Sequence, residues 1–216
     1  MPSSQPHREF PDAPASPYDG VDVDGWLAVT SALLASFPTS GSEIVASVQA
    51  SWDDLAATQL GRHGLRIGAG WQPSPQVTGE LLRTLIASNF ARLSPETWRA
   101  AIKKSEKDIV CLTDGTFSID IKTSTDANEF FSEKGYAERR APSSKYGPSG
   151  AKRRSGYYLV VNFDNPQTIA DPGIGMIRFG WLAHDDFGKR GGPGARDIEE
   201  DSSARRKFTQ LFVRNS

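Results

Sequence analysis

Along this chain the apolar positions recur first at helical and later at strand spacing. WLAVTSALLASF, from Trp26, predicts a helix that Pro38 ends. A second helix is predicted from a Ser42 N-cap with Glu43 in its first turn, and Ile44, Val45, Val48, Trp52 and Leu55 form its buried stripe. LRIGAGWQPSPQ is too rich in Gly and Pro for a regular element and reads as a loop. The next helix begins near Pro75, with Val77, Leu81, Leu85 and Ile86 as its core stripe. Ser94-Pro95 is an N-cap followed by proline at the first helical position, and predicts a short helix that turns Trp98 and Ile102 inward.

At Asp108 the period changes to two. DIVCL and FSIDIKTS are strand-like runs joined through TDGT, and the Asp-Gly within it is a hairpin signal. GYYLVVNFD and GMIRFGWL read as two further strands, the first apolar almost throughout, as in a strand covered on both faces. Helices followed by a strand group predict an α/β (α+β) fold with one sheet packed on helices, and no internal repeat interrupts it. Residues 1–25 hold five prolines and five acids against one base, a composition too poor in apolar surface to offset ordering entropy. They read as a disordered leader to a single domain over 26–216: a helical part 26–107, a sheet and loop part 108–187, and a tail 188–216.

The second of these strands carries the candidate chemistry. Phe117, Ile119 and Ile121 point to one face while Ser118, Asp120 and Lys122 point to the other. A carboxylate and an ammonium presented side by side from a rigid strand suit metal-assisted phosphodiester hydrolysis. Carboxylates bind Mg²⁺, and a neighbouring lysine positions or deprotonates the attacking water. Asp108, on the preceding strand, is the second carboxylate. An Asp-x-Lys triplet is common by chance, so on these residues alone a solvated sheet face stays open as the alternative.

Register discriminates between the two. A two-residue Asp114-Gly115 turn pairs Asp108 with Ile121 and leaves Asp108 and Asp120 on opposite faces. A three-residue loop or a bulge pairs Val110 with Asp120 and Asp108 with Lys122, gathering the charges on one face. The metal reading therefore predicts an odd loop, a bulge or a strongly twisted strand end.

Charge changes this picture through its distribution. The formal sum is −1 from 25 Lys+Arg and 26 Asp+Glu, which excludes a uniformly basic nucleic-acid coat. By segment it is −5 over 108–133 and +6 over 134–154. The basic stretch holds Lys134, Arg139, Arg140, Lys145, Lys152, Arg153 and Arg154 among Gly, Ser, Pro and two tyrosines. A flexible cationic loop beside a phosphate-cleaving centre is what a polyanion requires, although a charge run is also an ordinary solvated loop. The lone Cys111 forbids an intrachain disulfide, and three scattered histidines give no metal-ligand spacing. A reducing cytoplasm fits, with neither a secretion signal nor a membrane span.

Secondary candidates are weaker. His184 and Asp185-Asp186 end the last strand and would flank the site. Asp53, Asp54 and Glu80 read as solvent-facing helix charges, with Glu80 pairing Arg83. GKRGGPGAR lacks the strand-loop-helix context of a phosphate loop.

The runs WDDLAATQLG, QPSPQVTGELLRTLI, SEKDIVCLTDGTFSIDIKTS, SGYYLVVNFD and MIRFGWLAHDDF stand in collinear order, and together the chain from Trp26 to Phe187 resembles the ScaI-type restriction endonucleases. The resemblance implies a PD-(D/E)XK core with a central mixed sheet flanked by helices, Mg²⁺ dependence, and cleavage leaving 5′-phosphate and 3′-hydroxyl ends. On that pattern Asp108 is the first acid, Asp120 the second and Lys122 the lysine. The Ile121 carbonyl is a further metal contact, and Asp53 is the acid to test as an auxiliary ligand. Lys107 stands where the motif has proline.

The resemblance further implies double-stranded DNA as substrate, a homodimer to cut both strands of a palindrome, and a cognate methyltransferase protecting the host. The rival readings are a methylation-dependent or non-specific nuclease of the same fold, and a non-catalytic DNA-binding module.

Overall fold

The structure, a computed structural model, describes residues 16–127, 155–183, 186 and 203–214. Three helices precede the sheet. α1 (Trp26–Ala35) follows a single 3-10 turn. α2 (Gly41–Ala57) is capped by Ser40 and not by the expected Ser42. Ser40 is the last extended residue, its hydroxyl accepts the Glu43 N–H at 3.3 Å, and Glu43 in return accepts the Ser40 N–H at 2.8 Å. The predicted α2 stripe holds, with Ile44, Val48, Trp52 and Leu55 buried.

The loop that follows contains the two-residue strands β1 (Arg66–Ile67) and β2 (Gly70–Trp71). α3 (Pro75–Leu93) starts from a Ser74 N-cap with proline in its first turn. Its buried stripe is displaced from the expected one. Thr78, Gly79, Leu82, Ile86 and Phe90 face the core, while Val77 and Leu81 are exposed. The side-chain-free Gly79 decides this rotation: a Cβ there would lie 2.5 Å from Thr123 Oγ1, so the helix axis approaches the sheet along the glycine.

The helix expected after Ser94 is one turn only. Thr97 and Trp98 donate back to the Ser94 carbonyl, and the chain then extends as β3 (Trp98–Ala100). Pairing with β4 (Ile109–Cys111), and burial of Trp98 against Phe37 and Phe90, override the local cap signal. Ile102, expected inside, is exposed.

The remaining strands are β5 (Ile119–Ser124), β6 (Gly156–Phe163), β7 (Ile174–Leu182) and β8 (Phe208–Val213). They complete a six-stranded sheet in the order β3-β4-β5-β6-β7-β8, in which β5 and β6 run parallel and the other neighbours antiparallel. The sheet has two differently used faces. Ile119, Ile121, Leu159, Val161, Ile177 and Phe179 pack under the helices in the main core. Tyr158, Val160 and Leu182 alternate with them and meet Ala204 and Phe208 in a second cluster. All eight positions of β6 are buried, as its apolar run predicts.

The sheet extends into the tail, where the sequence showed no strand. β8 pairs with β7, and at Gly180 an added Cβ would fall 2.2 Å from the Lys207 carbonyl oxygen, so only glycine admits the tail so close. Order also begins before Trp26, which corrects the disordered leader over its last residues. Tyr18 is buried, and its hydroxyl lies 2.9 Å from Thr30 Oγ1. The Lys207 ammonium sits over the rings of Tyr18 and Trp26 and donates to both Asp186 oxygens, at 2.7 and 2.9 Å. One cation thus joins the start of the described chain, the end of β7 and the tail. Among the described residues no helix is long and apolar enough to cross a membrane.

Candidate active site

The connection between β4 and β5 is odd in length. Residues 112–118 carry a 3-10 turn at Gly115–Phe117, with the Asp114 carboxylate accepting the Thr116 N–H at 2.9 Å. The Asp-Gly therefore starts a compact loop instead of forming a two-residue hairpin. Ile109 pairs with Ile119, and one step outward along the register Asp108 stands opposite Asp120. This is the same-face arrangement the metal reading requires, reached through a longer loop than three residues and with Asp108 opposite Asp120, not Lys122. With Ile109, Ile119 and Ile121 in the main core, Asp120 and Lys122 project from the reverse face.

Asp108 extends the ladder with its side chain. Its Oδ2 accepts the Ile121 N–H at 2.8 Å, a bond that continues the β4–β5 contact beyond the Ile109–Ile119 pair. A residue's N–H and C=O leave a strand on the same edge, so the Ile121 carbonyl also faces the Asp108 side. Asp120 and Lys122 are both buried and form an ion pair at 3.6 Å. The carboxylate and the ammonium thus hold each other in place, which lowers the cost of burying either.

α3 adds a residue that the sequence did not single out for the site. Arg83 is bonded to Glu80 one turn back, as its spacing predicts, and its Nη1 reaches to 3.7 Å from Asp108 Oδ1. Burial works to lower the pKa of the guanidinium, but Asp108, Glu80 and Asp120 together outweigh it and the net shift is upward. The i,i+3 pair was the visible signal. Its second partner depends on how α3 lies on the sheet.

Lys107, in the motif's proline position, reaches across to β6. Its ammonium donates to the Tyr157 carbonyl at 3.2 Å and lies 4.9 Å from the Tyr158 ring centre. Gly156, at φ +129°, makes room, since a Cβ there would stand 2.5 Å from Lys107 Nζ. Asp53 is on the exposed side of α2, and the structure does not bring it to Asp108 or Asp120, because it is α3 that packs on β5. Asp54 accepts from Asn89 at 3.1 Å, and Asp186 is the partner of Lys207. His184, Asp185 and the cationic residues Lys134, Arg139, Arg140, Lys145, Lys152, Arg153 and Arg154 lie outside the described residues.

Among the described residues no cluster of three or more His, Cys, Asp or Glu side chains is arranged for a metal. Two carboxylates and a backbone carbonyl are nonetheless a hard-oxygen set suited to Mg²⁺, which keeps several waters and takes substrate phosphate oxygens as its remaining ligands. The residues present fit such an ion.

A six-stranded mixed sheet flanked by helices, with Asp, Asp and Lys gathered on two adjoining strands, defines a nuclease core of the PD-(D/E)XK kind. Residues 16–200 match the ScaI restriction endonuclease family. The chain is also 38% identical, over 181 residues, to the type II restriction enzyme ScaI of Streptomyces caespitosus, a match covering 82% of this chain and 75% of that protein. It belongs to the ScaI restriction endonuclease family and is a type II site-specific deoxyribonuclease, an enzyme class that generally works with a divalent metal ion.

Proposed function

We propose that this enzyme hydrolyses double-stranded DNA at a defined sequence with Mg²⁺ held by Asp108, Asp120 and the Ile121 carbonyl. The single observation that carries the reading is the pairing of Ile109 with Ile119, which sets Asp108 opposite Asp120. When bound, the ion would offset charge on the scissile phosphate and acidify a water. Lys122, fixed by Asp120, would orient the attacking water toward phosphorus and assist loss of its proton. Asp108 is anchored on the Ile121 N–H, which fixes its carboxylate beside Asp120.

In the same reading the segment Lys134–Arg154 contacts the duplex backbone, with Arg139, Arg140, Lys145, Lys152 and Arg153 as phosphate partners. His184 remains an auxiliary candidate, whereas Asp53 is too far round α2 to serve as one. Two copies related by a twofold axis supply one active site for each strand, and a methyltransferase of the same specificity protects host DNA in a shared cytoplasm.

Purified enzyme with Mg²⁺ and plasmid tests the reading. Discrete fragments are expected, and sequencing their ends gives the cut site. Lys122→Ala should lower the cleavage rate by about 10²–10⁴-fold. Full cleavage by Lys122→Ala would overturn its role, a smear would remove sequence specificity, and cutting of methylated DNA alone would make the enzyme methylation-dependent.

A further inference from the structure

Arg83 is the cation nearest to Asp108 that α3 supplies. It is placed there by a chain of contacts. Gly79 lets α3 approach Thr123 of β5, and Arg83 follows one helical turn later. Glu80 takes one donor of the guanidinium, through Nη2. Nη1 faces Asp108 Oδ1 at 3.7 Å, ion-pair range beyond a hydrogen bond, while Asp108 Oδ2 is engaged by the Ile121 N–H. The Arg83 charge therefore lies on the Oδ1 side of the carboxylate that this reading assigns to the metal. The Arg83 side chain is 33% exposed, against 10% for Lys122, so its planar fork is accessible from solvent. Such a fork matches phosphate oxygens.

Building on the assignment of Asp108 and Asp120 as the metal-binding acids, we propose that Arg83 makes metal binding dependent on DNA. In the free protein its positive charge opposes a divalent ion at the Asp108 carboxylate. In the complex a backbone phosphate of the duplex comes between the two cations and is shared by them, which turns repulsion into joint attraction. The metal then binds firmly only where a phosphate is present.

The test uses the full chain and Mn²⁺, whose free concentration is read by electron paramagnetic resonance without any turnover. Arg83→Gln should bind Mn²⁺ about tenfold more tightly than wild type when no DNA is present. The same variant should lose about tenfold in affinity for a fluorescent duplex carrying the mapped cut site, measured by anisotropy in Ca²⁺. Arg83→Lys, which keeps the charge, should bind Mn²⁺ as wild type does. A merely structural Arg83 would weaken both equilibria, or neither, and would give the Lys and Gln variants similar values. Unchanged or weaker DNA-free Mn²⁺ binding by Arg83→Gln, with circular dichroism and melting temperature preserved, overturns the proposal. Asp108→Asn serves as the reference: wild-type Mn²⁺ affinity in that variant would instead overturn the metal site itself.

Discussion

Asp108 accepts the Ile121 N–H at 2.8 Å, so a side chain from the end of β4 completes the hydrogen bonding of β5. The acid thus has two separable roles, one in each oxygen. Asp108→Asn retains an acceptor for the N–H and should fold with near wild-type stability while losing cleavage. Asp108→Ala leaves the N–H without that acceptor and should in addition be about 1–2 kcal/mol less stable. Urea denaturation of both variants checks this, and equal midpoints would remove the structural role.

Gly79→Ala should destabilise the protein. Alanine favours the helix by about 1 kcal/mol, but its Cβ would lie 2.5 Å from Thr123 Oγ1 and force α3 away from β5. The expected net loss is about 1–2 kcal/mol, with reduced cleavage because Arg83 moves with the helix. Adding Thr123→Ala should recover most of both, and a thermal melt of the double variant decides it.

Lys207 is buried, pairs with the partly buried Asp186 and also sits against two aromatic rings. Lys207→Met leaves the Asp186 carboxylate without its counter-charge and should cost about 3–5 kcal/mol. Asp186→Asn added to it removes the stranded charge and can keep accepting the Ala183 N–H, so the double variant should melt above the single one. The reverse order of melting temperatures would show that the unpaired Asp186 charge is not what destabilises the single variant.

The Tyr18 phenol is pushed up to about 12 from its ordinary 10, by burial foremost, against the hydrogen bonds from Thr30 and Trp181 and with a smaller contribution from the Asp186 charge. Its folded pKa lies above the unfolded one, so its contribution is full below pH 10 and is lost as pH rises from 10 toward 12. Stability should fall across that window. In Tyr18→Phe the fall should be shallower, starting from a lower plateau because the hydroxyl's bonds are gone. Chemical denaturation at pH 9, 10 and 11 measures it.

Asn162 links β6 to the chain leaving β5. Its amide donates to the Asp126 carbonyl at 2.7 Å and its Oδ1 accepts from the buried Arg178, which also donates to the Ala127 carbonyl at 3.0 Å. Asn162→Ala should cost about 1.5–3 kcal/mol and speed hydrogen exchange over 124–127. Exchange confined to the rest of the sheet would contradict this link.

Period and composition determined much of this protein by themselves. Alternation placed Asp120 and Lys122 on the face opposite Ile119 and Ile121, and the continuous apolar run of β6 marked a strand covered on both sides, because side-chain direction in a strand follows from local geometry alone. Asp108 and Asp120 likewise stood out as candidates from the sequence. Their shared face was not, since it hangs on whether the connecting loop is odd, and Asp114-Gly115 is compatible with either parity. Tertiary packing decided the rest. Trp98 left its helix signal for a strand because a partner strand and an aromatic pocket awaited it, and α3 turned on Gly79 because that residue alone admits Thr123. Tyr18, Lys207 and β8 carry weak local patterns and were fixed by one another. Arg83 met Asp108 across a helix–sheet contact, a distance in space that no spacing along the chain encodes.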